Sequence, residues 1–165
     1  MIQTFVNKEK ETVRKIEKLQ IERLGTLLPL RKLCIKRKGQ FYWELKPLFP
    51  GYLFINKELE ALDIKKIIRL NHVIKILRNV KNPAMVPEKD MHLILSMMDE
   101  NTQIPESSVF FLDDRVKIAA GPLKNLEGLI TAVDKRKKRI TVRLPFFNTH
   151  KNVQFSYELV DKIKE

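Results

Sequence analysis

Cysteine is nearly absent from this 165-residue sequence: Cys34 stands alone. A single thiol excludes an internal disulfide and a thiolate metal cluster, and it suits a reducing cytoplasm. Histidine is also scarce, and His72, His92 and His150 are too widely spaced for HExxH or any other ligand pattern, so no metal is expected. Five glycines leave no GxxxxGK, GxGxxG or GxSxG. No run approaches the ~20 apolar residues that span a bilayer, and the N-terminus has no apolar signal segment. Carboxylates are scattered, so no general acid/base pair stands out. Cys34, in the alternating run Leu33-Cys34-Ile35, reads as buried filler rather than nucleophile, because thiolate activation needs an open electropositive setting. The expectation is a cytoplasmic, cofactor-free protein that is not an enzyme.

What the chain does have is positive charge. Thirty-two Lys and Arg against 20 Asp and Glu leave +12, with a pI near 9.8. Such a surface attracts polyanions, nucleic acid above all, although some basic proteins carry it for solubility alone. A hydrophobic content of 44% is enough for a real core in one domain or two small ones.

The run Lys46-Pro47-Leu48-Phe49-Pro50-Gly51-Tyr52-Leu53-Phe54-Ile55 puts a Pro-Gly bend ahead of an apolar strand. Phe49 and Tyr52 are thereby held as a rigid aromatic docking surface, or the bend is simply the entry of a core strand. Upstream, Met1 to Val6 reads as a short strand, and Asn7 as the cap of a helix to about Leu24, stopped by Gly25. Arg31 to Arg37 and Gln40 to Lys46 flank Lys38-Gly39 as a β-hairpin with a basic tip. Asn56 is expected to cap a second helix through about Arg69, followed by a strand at Val73 to Leu77 that Asn82-Pro83 breaks. A third helix starts at Val86-Pro87, with Met91, Ile94, Leu95 and Met98 as its core stripe.

The fold class expected is α+β, an N-terminal antiparallel sheet with flanking helices over residues 1–98 and a small β-barrel over 109–165. The polar stretch 99–108 reads as a linker. Barrel strands are expected at Arg115 to Ala119, Leu129 to Val133, Ile140 to Leu144, Val153 to Phe155 and Glu158 to Ile163. Lys135-Arg136-Lys137-Lys138-Arg139 packs five cations into one turn, where they meet phosphates or merely solvate a hairpin tip. At the other end of a meander, Lys124, Asn125, Asn148, Thr149, His150 and Lys151 offer the mixture of charge and hydrogen-bonding groups that suits reading RNA bases.

Two motifs carry a resemblance. Pro47 to Ile55 is similar to the signature of the N-terminal (NGN) domain of the NusG family of transcription elongation factors, whose opening strand and helix Ile2-Gln3-Thr4-Phe5 and Glu9 also fit. Asp114-Arg115-Val116-Lys117-Ile118, Gly121-Pro122, Gly128-Leu129-Ile130 and Val133-Asp134 resemble its KOW motif, which sits on an SH3-like barrel.

The resemblance implies docking on the clamp helices of RNA polymerase through Phe49, Pro50, Gly51 and Tyr52. The loop Asn71-His72 would face the opposite side of the DNA cleft, and Lys36, Arg37 and Lys38 would lie near upstream or non-template DNA. The family's usual aromatic pair before the opening strand is missing, which implies a truncated start. Phe146-Phe147-Asn148-Thr149-His150-Lys151 lacks the Phe-Gly-Arg turn through which general members meet a ribosomal protein or Rho. A specialised antiterminator similar to LoaP and RfaH is therefore expected, a monomer whose KOW domain binds a nascent RNA hairpin. The β-branched Ile130, Thr131, Val133, Ile140, Thr141 and Val142 point to a stable barrel rather than a helical pair. The alternatives are a general NusG-type factor whose barrel meets proteins, or a KOW-containing RNA-binding protein.

Overall fold

The computed structural model describes residues 1–78 and 83–161. The chain forms two compact units, each assembled from two segments: Met1–Pro29 with Pro47–Pro87, and Leu30–Lys46 with Glu88–Glu165. The hairpin and the third helix, expected in the first domain, thus group with the C-terminal strands.

The first unit is an antiparallel four-stranded sheet in the order β2-β5-β1-β6, made by β1 (Ile2–Thr4), β2 (Thr26–Leu27), β5 (Tyr52–Ile55) and β6 (Val73–Ile76). Ile2, Leu53 and Ile76 pair across it and, with Ile16 of helix α1 (Glu9–Lys18) and Ile67 of α2 (Ala61–Ile68), form its core. α1 carries Glu9 and Glu11 in its first turn and Lys15 and Lys18 in its last, the polarity that complements a helix dipole. It stops six residues before the expected Leu24, because Gln20 turns left-handed (φ 50°). Ile21 and Leu24 reach the same core from non-helical chain. Asn7 (φ 67°) precedes the cap position, which belongs to Lys8. Asn56 is likewise not a helix cap: its side chain accepts from Gly25 N–H at 2.6 Å, extending the β2–β5 pairing, and Glu60 opens α2. Asn82 lies outside the described residues.

In the second unit, β3 (Leu30–Arg37) and β4 (Gln40–Pro47) form the expected hairpin, with Lys38 and Gly39 both at positive φ. Helix α3 (Glu88–Ser96) buries Ile94 and is followed by the buried Met97, while Leu95, expected in the core stripe, faces solvent. The stretch read as a linker is ordered. Asp99 Oδ1 accepts from the N–H groups of Asn101 and Gln103 at 2.9 Å each, and β7 (Gln103–Ile104) then pairs in parallel with β3. Self-bonding polar residues made this segment look structureless in sequence.

The C-terminal strands form a half-barrel in the order β10-β11-β12-β8-β9. It opens with β8 (Ser107–Leu112), whose first two residues fall in the stretch expected as a linker, and continues with β9 (Arg115–Ala120), β10 (Ile130–Asp134) and β11 (Arg139–Phe146). The two last expected strands are one, β12 (Thr149–Leu159), antiparallel to β11 and then parallel to β8 at Tyr157 to Leu159. Ile163 lies outside the described residues. Val109, Ile140, Val142, Leu144, Val153 and Phe155 fill its interior. The α+β class with an SH3-like β-domain is therefore the observed one.

Candidate partner and nucleic-acid surfaces

The Pro-Gly bend is fixed by backbone chemistry at the end of β1. Gly51 holds φ +81°, its N–H donates to the buried Glu9 Oε1 at 2.7 Å, and its carbonyl accepts from Thr4 N–H at 2.8 Å. A Cβ there would sit 3.1 Å from the Thr4 carbonyl, so glycine is required sterically as well as conformationally. This bend inverts one expectation. Phe49 is 2% exposed and packs edge-on against Phe54, so it is core and not docking surface, whereas Pro50 is exposed and Tyr52 half-buried. A bulky ring after Leu48, at a bend whose chain turns inward, is drawn into the core because burial gains more than exposure.

Sequence reasoning missed Phe5 and Val6, 55% and 57% exposed beside the bend. Their position directly after an apolar strand was the available signal. His72, half-buried at φ 80°, joins the same end of the sheet: its carbonyl accepts from Phe5 N–H at 3.0 Å and from Thr4 Oγ1 at 2.6 Å, and its ring lies edge-on to Phe5. Gly51 and His72 therefore flank Thr4-Phe5 from two neighbouring strands, which brings the bend and the Asn71-His72 loop together; Asn71 is exposed.

Glu11 ties this corner down. Lys15 at 2.8 Å first, then Lys8 at 3.1 Å and His72 Nε2 at 3.1 Å, hold its carboxyl at about 2. The folded value lies below the unfolded one, so the stabilisation is complete above pH 4.5, the ordinary carboxyl value, and is lost as pH falls towards about 2. Thermal melts in acid should show Glu11→Gln flattening the loss of stability across that window; an unchanged acid limb would rule out the contribution.

In the second unit, Lys36, Arg37 and Lys38 are all exposed at the hairpin tip, with Arg37 ion-paired to Glu44 at 2.7 Å. The five-cation run divides. Lys135, Arg136, Lys137 and Lys138 are exposed in the β10–β11 turn, where Lys137 N–H donates to Asp134 Oδ1 and Lys135 pairs with Asp114 at 2.9 Å while lying over the Phe111 ring. Arg139 is already in β11 and turns away, donating to the Cys34 carbonyl at 2.5 Å and to Ser156 Oγ. Burial pulls its pKa down, and burial followed by repulsion from Arg139 pulls neighbouring Arg31, which donates to the Gln154 carbonyl, to about 10. Arg139 is thus a packing residue of this unit and not part of an anion-binding turn.

The Lys135–Asp114 pair sets the β8–β9 and β10–β11 turns at one end of the sheet, so the β9–β10 loop and the β11–β12 turn share the other, as the meander requires. There Lys124, Asn125, Asn148, Thr149 and His150 are exposed, and Lys151 lies 4.1 Å from the centre of the Phe146 ring. Among the described residues no helix is long and apolar enough to cross a membrane, and no cluster of His, Cys, Asp and Glu could hold a metal.

Residues 1–95 match the family described as "Transcription termination factor nusG", and residues 112–143 match the KOW motif. A Borreliella burgdorferi protein named transcription termination/antitermination protein NusG is 26% identical, aligned over 99% of this chain and 97% of its own. A Helicobacter pylori protein of the same name is 24% identical over 98% and 96%. The structure titled "Domain interaction in Thermotoga maritima NusG" covers 94% of this chain and 90% of its own with a TM-score of 0.55 at 19% identity, a likeness of fold. With its N-terminal motif, its KOW motif and full-length relatives all in agreement, this chain belongs to the NusG family of transcription termination/antitermination factors.

Proposed function

We propose that this family member is a specialised elongation and antitermination factor that docks on the RNA polymerase clamp helices through its first unit and binds a nascent RNA hairpin through its KOW half-barrel. Docking is carried by Tyr52 and Pro50 with the exposed Phe5 and Val6 beside them, a small apolar surface at one end of the sheet. The hairpin tip Lys36 to Lys38 lies near upstream or non-template DNA. The observation that carries RNA binding is the turn Lys135 to Lys138: four exposed cations, of which only Lys135 has an ion pair among the described residues. Lys124, Asn125, Asn148, Thr149, His150 and Lys151 at the other end supply groups that hydrogen-bond bases.

The test is binding of the full-length chain to a structured RNA across a salt series. The expected log–log slope is about −0.7 per phosphate contact on unpaired strands, and neutralising Lys135 to Lys138 should make it shallower by about 2–3. A slope that the four substitutions leave unchanged removes this turn from the reading. A second reading, a general factor whose barrel meets a ribosomal protein or Rho, is favoured by the full-length match to relatives named NusG. It predicts weak, hairpin-indifferent RNA binding. Tyr52→Ala should weaken polymerase capture at least about tenfold if docking is as stated, as expected for a buried aromatic anchor.

A further inference from the structure

We infer that Glu9 is a positioning residue of the docking corner: its buried carboxylate holds the Pro50–Gly51 peptide with the carbonyl turned outward, so that the corner offers its partner a backbone acceptor beside the Pro50 ring. The inference rests on polymerase docking through this corner, and it adds the hydrogen-bond chemistry of the contact and the side chain that sets it.

The bend is a β-turn. Tyr52 N–H donates to the Phe49 carbonyl at 3.1 Å, which puts Pro50 and Gly51 at the two central positions. Gly51 at φ +81° behind a proline makes the turn type II, since the proline ring forbids the positive φ that type I′ needs at its first central residue. Types I and II differ by a flip of the peptide plane between the central residues, and the closing hydrogen bond is compatible with both. Something outside the turn has to choose.

Glu9 is that group. It opens α1 and is 3% exposed, and its Oε1 accepts the Gly51 N–H at 2.7 Å. Glu11, two residues on, takes the cations Lys8, Lys15 and His72, whereas Glu9 turns inward to a backbone donor. A buried carboxylate oxygen is costly unless a donor meets it. Flipping the peptide would withdraw the Gly51 N–H and bring the Pro50 carbonyl oxygen towards Glu9, two acceptors face to face. The C=O and N–H of a trans peptide point opposite ways, so an N–H directed at the buried carboxylate sends the Pro50 carbonyl outward. Pro50 is exposed, Gly51 is buried, and among the described residues nothing donates to the Pro50 carbonyl. A Cβ on Gly51 would lie 3.4 Å from Val6 Cγ2, so this acceptor stands next to the apolar surface of the corner. Beyond its first turn a helix spends its own N–H groups internally, so the donor that a helical partner brings is a side chain such as Arg, Asn or Gln.

The experiment compares Glu9→Met and Glu9→Gln in the full-length chain, by affinity for RNA polymerase well below the melting transition and by deuterium exchange at the Gly51 amide. Methionine matches the length and cannot accept; its capture should weaken about tenfold, with Gly51 exchange accelerated. Glutamine keeps an acceptor at the same reach and should stay within about threefold of the parent. Should Glu9→Met not fold, Glu9→Asp keeps the charge at the helix start but falls one methylene short of Gly51, and the same loss of capture is expected. A lower melting temperature with parental affinity in the folded Met or Asp variant would show a merely structural role and overturn the inference, as would unchanged Gly51 exchange or an equal loss in Glu9→Gln. Tyr52→Ala separates the two claims. If it weakens capture while Glu9→Met and Glu9→Asp do not, this inference alone fails; if it leaves capture intact, the docking reading fails and takes this inference with it.

Discussion

Replacing Phe49 with alanine should destabilise the first unit by about 3–5 kcal/mol, the usual cost of deleting a buried phenyl ring. Phe49 is 2% exposed, follows Leu48 at 1%, and meets Phe54 with ring centres 6.3 Å apart at 63°, the edge-to-face geometry that aromatic pairs prefer. Nothing can refill the space cheaply, because the bend behind it is pinned by Gly51 to both Glu9 and Thr4. For a unit of this size each kcal/mol lowers the melting temperature by roughly 4–8 °C, so a circular dichroism melt reads the effect directly. The competing expectation, Phe49 as part of the polymerase-docking surface, makes the opposite forecast: full stability with lost binding. Tyr52→Ala is the contrast, since a half-buried ring costs less stability when removed.

The second large effect is Gly121→Ala, for which we expect a loss of about 3 kcal/mol or more from the half-barrel. Gly121 holds φ +100°, and an added Cβ would lie 2.8 Å from Ser107 Cα and 3.1 Å from the Glu106 carbonyl. Backbone must therefore move. Ser107, itself 1% exposed, accepts the Leu123 N–H at 3.1 Å through its hydroxyl, so displacing it also unseats a fully buried leucine. Gly128 is the control: nothing lies within 4 Å of its added Cβ and its φ is ordinary, so Gly128→Ala should change stability by less than about 1 kcal/mol. Chemical denaturation midpoints for the two variants separate them; equal midpoints would show that the Ser107 contact does not constrain the fold.

Both glycines belong to the stretch that matches the KOW motif, and the sequence alone treats them alike. The same limit recurs through the molecule. Periodicity located α1, the hairpin and the principal barrel strands, because alternation and helical spacing are properties of neighbouring residues. It did not foresee the end of α1 at Gln20, the pairing of Asn56 with Gly25, or the short strand at Gln103–Ile104. The last two are made by a partner distant in the chain, and the first by a left-handed turn at a residue other than glycine.

The candidate surfaces divide in the same way. Composition and local pattern determined that the chain is basic, that it carries no HExxH or phosphate-loop motif, and that it carries two family motifs in order. Those are questions of which residues are present and in what spacing. Only the tertiary structure decided that Phe49 faces inward while Phe5 and Val6 face out, that Arg139 leaves its run of cations to bond the Cys34 carbonyl, and that Phe41 and Trp43 remain in water beside two lysines. Side-chain burial and charge pairing depend on what arrives from the rest of the chain to cover each residue, and no local sequence window contains that information.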